Sequence, residues 1–152
     1  MRPGKKRAAY TLSWYAWKRS LLITFVASSS VYLLGRPLLG IFTENETIIN
    51  VAMGVLLVDI FLEQGRATVL MFLFNLRSVG DVIVPVLIEL VCMWFFAVFC
   101  GYMFGIVFGL GLAGMWVAFA MDESSRGIVL ALRWRTQKWK RRNLIRHDVK
   151  VG

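Results

Sequence analysis

The stretch VDIFLEQGRATVL, residues 58–70, sits inside a long apolar run yet carries Asp59, Glu63 and Arg66. Spacings of four and three place these side chains within about 60° of one another on a helix, so they form one polar site on one face. A helix over residues 48–75 would be about 42 Å long, enough to cross a hydrocarbon core of about 30 Å, and its midpoint falls between Asp59 and Glu63. Three charges at that depth cost roughly 8 to 10 kcal/mol, more than the apolar residues of the span return. The segment therefore crosses a bilayer only with its charged face against protein or water. Protonation of one carboxylate lowers the cost, and two acids beside one arginine leave one acid without a cation on its own helix. Proton- or sodium-coupled carriers use such an acid; a salt bridge that pins the helix to its neighbours is the other reading.

Working outward, further apolar segments lie at residues 20–39, 82–104 and about 109–133. With 48–75 they predict an all-α integral membrane protein of four transmembrane helices over residues 20–133. A composition of 58% apolar and 14% aromatic residues lies above that of soluble domains. The net charge of +9 invites a nucleic-acid reading, but six of the 18 Lys and Arg residues precede Leu21 and nine follow Met121. The loop after the first span carries Glu44 and Glu46 without a basic residue, and the turn after the second carries Arg77. This alternation predicts a multi-pass protein of the cell membrane with both termini cytoplasmic, and it accounts for the basic ends without nucleic acid. Residues 1–19 read as an interfacial segment anchored at headgroup level by Trp14, Tyr15 and Trp17, and residues 134–152 as a basic cytoplasmic tail. The basic start could pass for a signal peptide, but the length of chain before the apolar stretch and the continuation of the run past Ser28, Ser29 and Ser30 to Leu34 favour a retained helix.

Within the spans, Ser28, Ser29 and Ser30 fit close helix packing, and Gly35, Arg36 and Pro37 predict a break or kink near the outer surface. FTENETI, residues 42–48, supplies a helix start with Thr43 or Asn45 as N-cap. NLRSVGD, residues 75–81, ends the helix, with Gly80 for a tight reversal and Pro85 in the first turn of the next. Glu89 pairs with Arg66 or Arg77 or reaches the cytoplasmic surface. Gly101, Gly105 and Gly109 belong to the outer turn after the third span or, within one helix, to a small-residue packing face. Asp122, Glu123 and Arg126 read as a local ion pair at the cytoplasmic boundary. Cys92 and Cys100, about 12 Å apart along one helix, cannot form a disulfide and read as small core residues. The one histidine, His147, lies in the tail, so neither a metal site nor a cofactor site is expected, and no nucleophile meets a base at matching depth as an enzyme would need.

The ordered set LGIFTENETI, Glu63-Gln64-Gly65-Arg66-Ala67, Leu76-Arg77-Ser78-Val79-Gly80-Asp81 with Pro85, and GLGLAGMWVAFAMDESSRGIVLALRWRTQKWK resembles the C-terminal part of the multidrug and toxic compound extrusion (MATE) transporters. The likeness runs from the first helix to about Lys140, and the ending, with Trp116, Asp122-Glu123, Arg126-Gly127 and Arg133-Trp134, resembles one bacterial subgroup. The resemblance implies twelve helices in two bundles of six, of which these four would be the last of the second bundle. It also implies partnership with the missing N-terminal helices and export of drug-like amphipathic or cationic compounds against inward flow of protons or sodium ions. In that light Arg77, Gly80, Asp81 and Pro85 are structural motif residues. Some members carry an ion-coupling acid at the register of Arg66, so no coupling role transfers to that position. Asp59, Glu63, Arg66 and Glu89 are ion-coupling or cavity candidates on the physical reading alone. The competing reading is a small self-standing four-helix membrane protein that acts by self-association or partner binding.

Overall fold

A computed structural model describes residues 3–136 of the chain. Four helices follow one another: α1 (Pro3–Phe42), α2 (Glu46–Ser78), α3 (Ile83–Val107) and α4 (Gly111–Arg135). Tyr10–Phe42 of α1, all of α2 and all of α3 are long and apolar enough to cross a membrane. Helix α4 has 25 residues, but Asp122, Glu123, Arg126, Arg133 and Arg135 make it more polar than the other three. The expected fourth span is therefore a helix of sufficient length whose charges require protein around them.

No turn separates residues 1–19 from the first span, because α1 is continuous from Pro3. Nor do Gly35 and Pro37 end it; the helix runs on to Phe42. Gly35 instead makes room for α2, since a Cβ there would meet Leu56 Cδ1 at 2.7 Å and Met53 Sδ at 3.0 Å. Ser28 and Ser30 turn their hydroxyls back to Thr24 and Val26 carbonyls at 2.9 and 2.7 Å, which satisfies them without a partner helix. Asn45 caps α2, its Oδ1 accepting from Thr47 N at 3.0 Å, while Thr43 Oγ1 accepts from Asn45 N at 3.2 Å.

The reversal after α2 uses Gly80 at φ 83°, a conformation that costs a β-carbon residue. Pro85 is buried in the first turn of α3, where its missing N–H is no loss. Helix α3 then opens into wider π-type turns over Met93–Cys100 and Met103–Val107. The glycine-rich segment does not turn where a third span of 82–104 places the turn. Gly101 and Gly105 lie inside α3, both buried, and a Cβ on Gly105 would meet Met115 Cγ of α4 at 2.7 Å. They form the small-residue face, and only Gly109, at φ 68°, belongs to the turn. Cys92 and Cys100 are free and half-buried.

Helix α2 lies between α1 and α4, with α3 packed along α4. The α2–α4 register climbs in step, with Asp59 beside Trp116, Gly65 beside Ser124 and Thr68 beside Gly127, so these two helices run parallel. Helix α1 runs antiparallel to α2, with Gly35 near Met53 and Trp17 near Thr68. Close approach is set by glycine: a Cβ on Gly65 would lie 2.8 Å from Ser124 N and 2.9 Å from Glu123 C. Lipid offers no hydrophobic drive for helices to associate, so such backbone contact is what packs them.

Val69, Phe72, Leu73, Leu76, Leu130 and Trp134 form the buried core at one end of this layer. The aromatics expected at headgroup level are part of it. Trp14 and Trp17 pack on Phe72 with ring centroids 5.1 and 5.9 Å apart, and Trp17 Nε1 donates to Thr68 Oγ1 at 3.1 Å. Tyr15 alone of the three faces outward, under the Arg19 guanidinium. Trp134, assigned by sequence to the tail, is 3% exposed and stacks on Tyr10. The tail beyond Thr136, His147 included, lies outside the described residues.

Candidate functional site

The charged face of α2 divides. Arg66 Nη1 donates to Glu63 Oε1, as the three-residue spacing allows. Asp59, one turn away, leaves that pair and accepts from Trp116 Nε1 of α4 at 3.2 Å. The single site expected from spacing is thus two sites, because a parallel neighbour offers an indole to one acid and more charges to the others. Glu89 pairs with Arg77, Nη2 to Oε2 3.4 Å, rather than with Arg66.

Opposite Glu63 and Arg66 stand the charges of α4. Arg66 Nε lies 4.0 Å from Glu123 Oε1. Glu123 Oε1 and Asp122 Oδ2 both form ion pairs with Arg126 Nη2, at 3.0 and 2.7 Å. A continuous chain Glu63–Arg66–Glu123–Arg126–Asp122 therefore joins the two helices. It contains the local ion pair expected of Asp122, Glu123 and Arg126 and carries it on to α2. Glu123 is twelve residues from each end of α4, about 18 Å either way. Glu63 lies near the middle of α2 in the same way. Sequence spacing finds each half of the cluster; the parallel register that joins the halves rests on Gly65, whose role the single sequence does not announce.

Burial deepens along the chain of charges. The side chain of Arg66 is 49% exposed, that of Glu63 28%, those of Glu123 and Arg126 17% and 16%, and that of Asp122 5%. On the open side Glu63 and Arg66 line a groove of about 380 Å³ between α1 and α2, together with Ser20, Thr24 and Asn75. At the buried end Asp122 Oδ1 and Arg126 Nε have no hydrogen-bond partner among the described residues. No group of three or more His, Cys, Asp and Glu that could hold a metal ion occurs among the described residues. The arrangement can hold charge at mid-height, reached from one side and sealed on the other.

The motif residues at the end of α2 form a separate lock. Asp81, its side chain 2% exposed, accepts from Arg133 Nε of α4 at 2.6 Å. Asp81 N also closes the turn on Leu76 O at 3.0 Å, so the α2–α3 reversal is tied to the last turns of α4.

Comparison with known proteins gives these helices a setting. The family model MatE matches residues 3–103. An uncharacterized transporter of Bacillus subtilis is 35% identical over 132 residues, 87% of this chain and 29% of its own. Probable multidrug resistance proteins of Halalkalibacterium halodurans and Thermotoga maritima are 27% and 24% identical, over 81% and 95% of this chain and 26% and 31% of theirs. The chain thus spans under a third of the length of these relatives. No solved structure matches. With the family model covering most of the chain and a transporter aligned along nearly all of it, the chain belongs to the MatE family.

Proposed function

We propose that these four helices are the last four of the second bundle of a cation-coupled multidrug exporter of the cell membrane. In this reading both ends of the segment are cytoplasmic, and the remaining helices of the transporter complete the substrate cavity. The cargo is an amphipathic or cationic drug-like compound, and inward flow of protons or sodium ions drives its export. The observation that carries the reading is the α2–α4 charge cluster at mid-height of the helices. A merely structural brace is served as well by an even pair. Three carboxylates and two guanidiniums in a weakly solvated layer instead make a site whose charge changes when a cation arrives. The relatives' names as transporter and multidrug resistance proteins supply the cargo class.

The test uses the intact exporter containing these helices. Glu63→Gln removes the acid that lines the open groove, so ion-driven drug efflux falls while the protein still inserts and accumulates in the membrane. Efflux equal to the unmodified protein at every pH and sodium concentration would refute the assignment.

A further inference from the structure

We propose that the α2–α4 cluster is a one-proton site whose exchangeable carboxylate is Asp122, with Arg126 as its positioning residue. The inference deepens the exporter reading, on which it rests for its use and not for its chemistry.

The charge count comes first. Glu63, Glu123 and Asp122 oppose Arg66 and Arg126, so full ionisation leaves one negative charge in excess. A buried excess charge is costly, and uptake of one proton by a carboxylate removes it. The sharing of guanidinium nitrogens then says which carboxylate takes the proton. Glu63 has Arg66 to itself in direct contact, and Glu123 lies between Arg66 and Arg126. Asp122 has only Arg126 Nη2, which it shares with Glu123. It is also the most buried of the three, with Oδ1 unpartnered among the described residues. The acid with the least compensation and the least water is the one that gains most from protonation.

The groups facing Asp122 agree with a proton rather than a metal ion. They are Arg126 and Glu123 on α4, the thiol of Cys92 on α3 within electrostatic reach, and, beyond Glu123, Arg66 and Glu63 on α2. Two carboxylates, those of Asp122 and Glu123, with a thiol and a guanidinium do not make the oxygen cage a sodium ion takes, whereas a proton needs a single lone pair. The graded exposure from Arg66 to Asp122 gives the proton's charge a route to the groove. Protonating Asp122 frees Arg126 Nη2 for Glu123, which loosens Glu123 from Arg66 and Arg66 from α4. Loading is thereby converted into a change in the α2–α4 contact beside the groove.

Purified intact exporter, examined by pH-difference infrared spectroscopy without sodium, should show a protonated-carboxyl band that grows on acidification. The band should disappear in Asp122→Asn, move in frequency in Asp122→Glu, and stay in place in Glu123→Asp. In liposomes, Asp122→Asn, neutral throughout, should lose drug uptake driven by a pH gradient. A band that ignores Asp122→Glu overturns the assignment. So does its absence from the unmodified protein, or a cation response that follows sodium at fixed pH. Should the band behave as stated while the unmodified protein moves no drug, the proton site stands and the exporter reading falls. Loss of fold in Asp122→Asn leaves Asp122→Glu, whose band shift decides alone.

Discussion

Two sets of charges tie α2 and its following turn to α4, and they differ in how closely their groups meet. At the end of the bundle Asp81 meets Arg133 at 2.6 Å, with the carboxylate almost wholly out of contact with solvent. At mid-height three carboxylates share two guanidiniums over contacts from close pairing out to 4.0 Å. Removing either member of the Asp81–Arg133 contact leaves the other buried without it. The mid-height cluster, fully ionised, holds one carboxylate more than its guanidiniums. The first contact ties two elements together, and the second is the place of the proposed proton.

The comparison breaks most visibly at the lock. Asp81→Leu leaves Arg133 without its buried carboxylate, and a stranded partner of this kind costs about 3 to 5 kcal/mol. The expected result is a large fall in the thermal unfolding midpoint of the detergent-solubilised protein. The double change Asp81→Leu with Arg133→Met should recover part of it, because no guanidinium is then left without its carboxylate. A lock that also carried exchangeable charge would not be rescued in this way.

A smaller effect separates helix contact from charge. Gly65→Ala puts a methyl group 2.8 Å from Ser124 N and 2.9 Å from Glu123 C, where only backbone movement makes room. Overpacking of this kind costs about 1 to 3 kcal/mol. It also moves Arg66 away from Glu123, so cysteine crosslinking between α2 and α4 should weaken at mid-height and stay intact near Asp81 and Arg133. Equal loosening at both levels would mean that the helices move as one rigid pair and that the two charge sets are not independent.

Much of this was legible in the sequence, for identifiable reasons. Three of the four helices follow from apolar runs long enough to cross a bilayer, and the α2 start follows from Asn45, because capping is local chemistry. The Glu63–Arg66 pair follows from spacing alone. What escaped depended on which helices are neighbours. Trp14 and Trp17 look like headgroup anchors beside basic residues, and only the antiparallel fit of α1 onto Phe72 makes them core. Asp122, Glu123 and Arg126 are legible as a local ion pair from their spacing, but their link to Arg66 depends on α4 lying beside α2. Asp59 leaves the predicted site because an indole from another helix competes for it. In each case periodicity gave the face and a tertiary contact chose the partner.

The smallest expected effects calibrate the others. Trp17→Phe keeps most of the ring against Phe72 but removes the 3.1 Å bond to Thr68 Oγ1. Interhelical hydrogen bonds in membrane proteins average about 0.6 kcal/mol, and Thr68 keeps its bond to Gln64 O at 2.8 Å, so nothing polar is stranded. A double-mutant cycle of Trp17→Phe with Thr68→Val should therefore show a coupling well below that between Asp81 and Arg133. Lower still is Arg36 with Glu46, 2.9 Å apart with side chains 62% and 69% exposed, where water already serves both charges and the pair adds about 0 to 1 kcal/mol. If neutralising Glu46 destabilised the protein as much as replacing Asp81, exposure would not be what separates these pairs. Burial would then not be what places the exchangeable proton on Asp122 rather than Glu63.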